Sequence, residues 1–67
     1  MRIRLKMARV RRGWTQEETA SRLGMVTMTY NYIENGKRDG TDEQWKRIQE
    51  LYGLSDRYVK TMRKENK

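Results

Sequence analysis

Side chains able to carry out covalent or acid–base chemistry are almost missing from this sequence. Its 67 residues include no cysteine and no histidine. That removes disulfides, thiolate zinc sites, imidazole acid–base catalysis and the usual nucleophile–base pairs. The acids add little, because Asp42 and Glu43 stand where a helix begins, and no glycine-rich loop is present to cradle a phosphate. No enzymatic activity, metal, cofactor or small-molecule ligand is therefore expected. Positive charge is what the chain has in quantity: sixteen Lys and Arg against nine Asp and Glu, a net charge of +7. Such an excess suits a polyanionic partner, nucleic acid first and an anionic membrane second. Residues 1–12 hold Arg2, Arg4, Lys6, Arg9, Arg11 and Arg12 without one acid, whereas residues 13–52 are close to balanced. The basic footprint thus includes the N-terminal segment, although a charged run alone fits a merely solvated surface equally well.

The elements that must position these charges are short. With 34% apolar residues the chain can bury one small core, so a single domain spanning 1–67 is expected, with residues 1–3 and 63–67 as frayed ends. No apolar run is long enough to span a bilayer, and charges alternate after Met1 where a signal peptide would be apolar, which points to a soluble cytoplasmic protein. Proline is absent, and the punctuation falls to Gly13, Gly24, Gly36, Gly40 and Gly53. Residues 4–12 place Leu5 and Ala8 on one helical face. Thr15 and Glu18 form a capping box for a second helix over 16–23, with Ala20 and Leu23 inward and Gly24 after its end. Thr41 and Gln44 form another, ahead of Trp45, Ile48, Leu51 and Tyr52 on one face and a stop at Gly53. Ser55 caps a last helix with Tyr58, Val59 and Met62 at helical spacing. Residues 25–33 stay ambiguous: Val26, Met28, Tyr30 and Tyr32 alternate as in a strand, and β-branched and aromatic residues are indifferent helix formers.

Taken in order, Leu5 to Trp14, Thr15-Gln16-Glu17-Glu18, Ala20, Leu23-Gly24, Ile33-Glu34-Asn35-Gly36-Lys37-Arg38 and Gly53-Leu54-Ser55 resemble the XRE family, the helix-turn-helix proteins of phage Cro and repressors. The likeness covers about residues 4–60. It implies an all-α, compact, five-helix lambda-repressor-like DNA-binding domain without strands, its helix-turn-helix formed by the second and third helices. It also overrides the local ambiguity, making residues 27–34 the helix that lies in the major groove.

Carried over position by position, the resemblance puts Tyr30 and Ile33 in the core and Thr27, Met28, Asn31 and Tyr32 on the groove side as base-reading residues. Asn31 has the donor and acceptor to pair with adenine, Thr27 can exchange a hydrogen bond, and Met28 or the Tyr32 ring can pack on a thymine methyl. Core filling is the competing role for Met28 and Tyr32. Gln16, at the head of the second helix, is implied to touch a phosphate, as are Asn35, Lys37 and Arg38 after the third. Arg9 and Glu34 match a structural ion pair, which would leave Arg2, Arg4, Lys6, Arg11 and Arg12 for phosphates.

Three positions depart from the family pattern. Val26 stands where a Ser or Thr usually caps the reading helix, with Thr27 the substitute cap one residue later. Thr19 replaces a leucine, a polar group at a core-facing place unless its hydroxyl bonds back to a carbonyl. Ile3, Met7 and Val10 make a second apolar stripe with no core to face. The function implied is a sequence-specific regulator of transcription, a prokaryotic or phage repressor of Cro-like mode, binding a double-stranded operator as a homodimer and residing in the cytoplasm on the nucleoid. An antitoxin or protein-interaction module on the same fold is the alternative, and a nonspecific nucleic-acid binder a third. Taken as a whole protein, the chain leaves no room for an effector domain, so control by concentration and competition for sites is expected.

Overall fold

The computed structural model describes residues 1–65. Five helices follow one another: α1 (Ile3–Arg11), α2 (Gln16–Leu23), α3 (Thr27–Glu34), α4 (Asp42–Tyr52) and α5 (Asp56–Lys64). No strand occurs among the described residues.

Three helices start where a side chain satisfies their free amides. Thr15 Oγ1 accepts from the Glu18 N–H at 3.1 Å, and the Glu18 carboxylate accepts from the Thr15 N–H at 2.9 Å. Thr41 and Gln44 repeat the arrangement at α4, and Ser55 caps α5 through the Tyr58 N–H. Gly24 ends α2 in the left-handed region at φ 69°, which lets the Met25 N–H reach back to the Ala20 carbonyl at 3.0 Å. That reversal turns the chain into α3 within three residues.

Helix α3 has no such start. Val26 precedes it with extended angles and no side-chain cap, and Thr27 is its first helical residue, so the expected substitute cap at Thr27 does not form. What holds α3 is its buried face. Tyr30 and Ile33 are fully enclosed against Leu5, Leu23, Trp45 and Ile48. Burying side chains of that size contributes about 1.5–3 kcal/mol each, which outweighs the few tenths per residue of poor helix propensity in Thr, Tyr and Ile.

Thr19 is buried, and of the two outcomes expected for it the back-bond is the one found: its hydroxyl donates to the Thr15 carbonyl at 3.0 Å. Arg2, placed by the sequence in a frayed end, has no exposed surface, and its N–H donates to the Glu34 carbonyl at 2.8 Å. The other end is tied as well. Arg63, in the last turn of α5, donates to Asp39 at 2.9 Å and Asp42 at 2.9 Å. Lys64 completes α5 and Glu65 follows it, and residues 66–67 of the expected frayed tail lie outside the described residues.

Candidate nucleic-acid interface

The base of the site is an ion pair joining two helices. Arg9 of α1 donates through Nε to Glu34 Oε2 at 2.9 Å and through Nη2 to Glu34 Oε1 at 3.1 Å. Its third nitrogen donates to the Trp14 carbonyl at 2.8 Å. Glu34 is 2% exposed at its side chain and Arg9 13%, so the pair is scaffold and not surface. The bidentate bond to the carboxylate raises the Arg9 pKa further above its ordinary value.

From that pair a chain of amides runs outwards to the solvent. Gln16 Nε2 donates to Glu34 Oε1 at 3.2 Å, Asn31 Nδ2 donates to Gln16 Oε1 at 2.8 Å, and Asn35 Nδ2 donates to Asn31 Oδ1 at 3.1 Å. Every link fixes which end of the next amide is donor and which acceptor. Asn31 retains one N–H and one lone pair after these bonds, the pattern that matches the N7 and N6 edge of adenine. Gln16 was expected as a phosphate contact; its side chain is engaged with Glu34 and Asn31, which leaves one Nε2 hydrogen and the backbone N–H at the start of α2 as its remaining donors. Glu17 and Glu18 on the same turn oppose such a contact.

The first turn of α3 stands clear of the body. Thr27 is exposed, and Met28, at 65% exposed, does not fill the core. Tyr32 is half-buried, with the guanidinium of Arg38 lying 5.4 Å from its ring centre. Asn35 closes α3, and Lys37 and Arg38 extend beyond it, both exposed. The Lys37 and Arg38 N–H groups both donate to the Tyr32 carbonyl, at 2.9 and 3.2 Å, which folds their segment back on the end of α3.

The five cations expected to remain for phosphates divide. Arg2 is buried and cannot touch a ligand. Arg4 pairs with Glu65, whose carboxylate also accepts from the Arg4 N–H. Arg12 lies over the rings of Trp14 and Tyr52, 5.5 and 5.6 Å from their centres. Lys6, Arg11 and the open side of Arg12 keep their charge towards solvent. Sequence reasoning missed the amide chain and the burial of Arg2, because neither is marked by local spacing. Among the described residues no group of three His, Cys, Asp or Glu side chains is placed to hold a metal ion, and no helix is long and apolar enough to cross a membrane.

A short helix braced across a second one, with the amino-terminal half of the second projecting and its other face in the core, defines an all-α helix-turn-helix DNA-binding fold. The chain belongs to the helix-turn-helix domain family, whose model matches residues 1–61, within the XRE-like superfamily. Neither a curated protein nor a solved structure matches it.

Proposed function

We propose that this protein is a sequence-specific transcriptional regulator of the repressor or Cro-like kind, which places α3 in the major groove of an operator and binds as a homodimer on a palindromic site in the cytoplasm of a prokaryotic cell. The observation that carries the reading is the position of Asn31. Its amide is oriented from the buried Glu34 through Gln16, yet keeps a free donor and a free acceptor beside the exposed Thr27 and Met28. A base-reading group held in one orientation before binding loses little freedom on binding.

In this role Thr27, Met28, Asn31 and Tyr32 meet base edges. The α2 start at Gln16, together with Asn35, Lys37 and Arg38, holds the sugar–phosphate backbone. Selection of bound sequences from a random DNA pool, with wild type, Asn31→Ala and Lys37→Ala, tests the assignment. Asn31→Ala should lose about 1–3 kcal/mol of discrimination at one base pair in each half-site, the half-sites about 34 Å apart. Lys37→Ala should weaken all sequences alike. An unchanged sequence preference in Asn31→Ala with an altered one in Lys37→Ala would sink it.

A protein-interaction or antitoxin role is the second reading, favoured by the apolar stripe on α1. Ile3, Met7 and Val10 are between 45% and 55% exposed, with Lys6 on one flank and Arg11 on the other. Such a surface fits a partner protein that is apolar at its centre and acidic at its rim. Under that reading Met7→Glu abolishes the partner complex and spares DNA binding; under the first it changes neither.

A further inference from the structure

The Arg2 side chain makes more hydrogen bonds than any cation on the proposed DNA face, and it meets that face only from behind, through the Arg38 carbonyl. Its Nη1 donates to the carbonyls of Ile33 at 2.6 Å and Arg38 at 2.9 Å. Its Nη2 donates to Asp39 Oδ1 at 3.2 Å and to the Arg63 carbonyl at 3.1 Å, which also accepts from Nε at 3.3 Å. The guanidinium lies over Trp45, 5.3 Å from the ring centre. Burial pushes its pKa below the ordinary arginine value, and Asp39 opposes that shift.

Three segments converge on this one planar group: the last turn of α3, the loop from Asn35 to Gly40, and the last turn of α5. The Ile33 carbonyl sits at the negative end of the α3 dipole, where a cation is favoured. The Arg38 carbonyl belongs to the loop that carries Lys37 and Arg38. Only an arginine offers five donors in a flat fork, so one side chain can hold the helix end and the loop in fixed relation. The start of the loop is tied to α3 by the Asn35 amide and N–H on Asn31, the Gly36 N–H on the Ile33 carbonyl and two N–H bonds to the Tyr32 carbonyl. Further on, Arg63 holds Asp39 and the Gly40 carbonyl, the Trp45 indole N–H holds the Asp39 carbonyl, and the Arg38 carbonyl is held by Arg2.

We propose that Arg2 is a positioning residue of the DNA interface, setting from behind the loop the height and direction at which Lys37 and Arg38 meet the phosphate backbone. This rests on the DNA-binding reading above. Arg2 contributes no phosphate contact of its own; it reduces the ordering that the loop would otherwise undergo on binding. Its removal should therefore act on the charges of other residues.

A double-mutant cycle reads that coupling. Arg2→Met and Lys37→Ala, singly and together, are titrated with salt against a duplex carrying the sequence selected by wild type and against a scrambled duplex. Lys37→Ala alone should lower the slope of log K on log salt by about 0.9, the value for one phosphate. Arg2→Met should lower it by at least as much on both duplexes. In the Arg2→Met background, Lys37→Ala should then cost less than half of its wild-type fold-loss. Val59→Ala, a core change away from the loop, controls for lowered stability and should leave the slope unchanged.

If Arg2→Met does not fold, Arg2→Lys carries the same cycle, since one ammonium cannot reach all of these acceptors. Additive losses, or an unchanged slope in the Arg2 variant, would overturn the proposal. Amide exchange at Lys37 and Arg38 in the free protein separates the two readings. Faster exchange there in the Arg2 variant, with α2 protected as in wild type, is expected; exchange at the wild-type rate overturns the positioning role itself. A wild-type protein indifferent to both duplexes overturns the DNA reading, and this role with it.

Discussion

Arg9 and Glu34, twenty-five residues apart in the chain, meet side by side through two nearly parallel hydrogen bonds of 2.9 and 3.1 Å. The pair joins α1 to the end of α3, and the same Glu34 oxygen that accepts from Arg9 also orients Gln16. The ion pair and the amide chain thus share one carboxylate.

Removing that carboxylate strands a nearly buried guanidinium, so Glu34→Ala should lower stability by about 3–5 kcal/mol. Asn35→Ala, which removes one half-buried amide bond at the next position, should cost about 1 kcal/mol. Thermal melts of both variants check this. Equal melting temperatures would mean that the pair contributes no more than a surface contact.

Gly40 adopts φ 85° beneath Trp45 and Ile33, and a methyl group there would lie 3.1 Å from the indole nitrogen and 3.2 Å from Ile33 Cδ1. Gly13 has a similar φ of 71°, but a methyl group would meet nothing within 4 Å. Gly13→Ala should therefore show only the left-handed cost of about 1–2 kcal/mol, and Gly40→Ala distinctly more. Urea denaturation of the two variants separates backbone strain from crowding, and an equal loss would refute the crowding.

The Tyr30 and Tyr52 hydroxyls are buried and find no hydrogen-bond partner among the described residues. Burial raises both pKa values above the ordinary tyrosine range, Tyr30 more so beside Glu34. Because no bond is lost, Tyr30→Phe and Tyr52→Phe should each melt within about 0.5 kcal/mol of wild type or above it. A loss of about 1.5 kcal/mol or more in either variant would reveal a bond to the hydroxyl.

Acid should unfold the protein through a small set of carboxylates. Glu18 is held below the ordinary carboxylate range by its hydrogen bonds from Thr15, and Asp39 by those from Arg63. A depressed folded pKa adds stability that is present above the unfolded value, about 4, and lost as pH falls through the folded value. The melting temperature should be level near neutrality, where no histidine titrates, and should drop below about pH 4. The double variant Glu18→Gln, Asp39→Asn should drop less steeply; an identical acid limb would assign the transition to other groups.

Much of this fold is legible in the sequence because its signals are local. Thr15 with Glu18, Thr41 with Gln44, and Ser55 mark three helix starts from within one turn, and Gly24 and Gly53 mark two ends. Helix α3 is not legible in that way. Its propensity is poor and its cap missing, and burial of Tyr30 and Ile33 by distant residues makes it helical; only the family resemblance located it. In the site, the pairing of Arg9 with Glu34 was implied by the family resemblance alone, and the burial of Arg2 by neither resemblance nor spacing. Its acceptors are mostly backbone carbonyls at 33, 38 and 63, and a carbonyl leaves no mark in residue type.

The bond from Asn31 to Gln16 bears on how such a protein changes its target over evolutionary time. If Asn31 reads a base as proposed, a substitution at 31 that suits a new base pair also leaves the Gln16 oxygen without its donor, and one at 16 frees the Asn31 amide. Under the proposed reading, retargeting by single steps therefore passes through an intermediate that has lost the old contact and reads the new one with a side chain that Gln16 no longer orients. Lineages that cross to a new operator are expected to change positions 16 and 31 together, so covariation between them would trace the history of their targets.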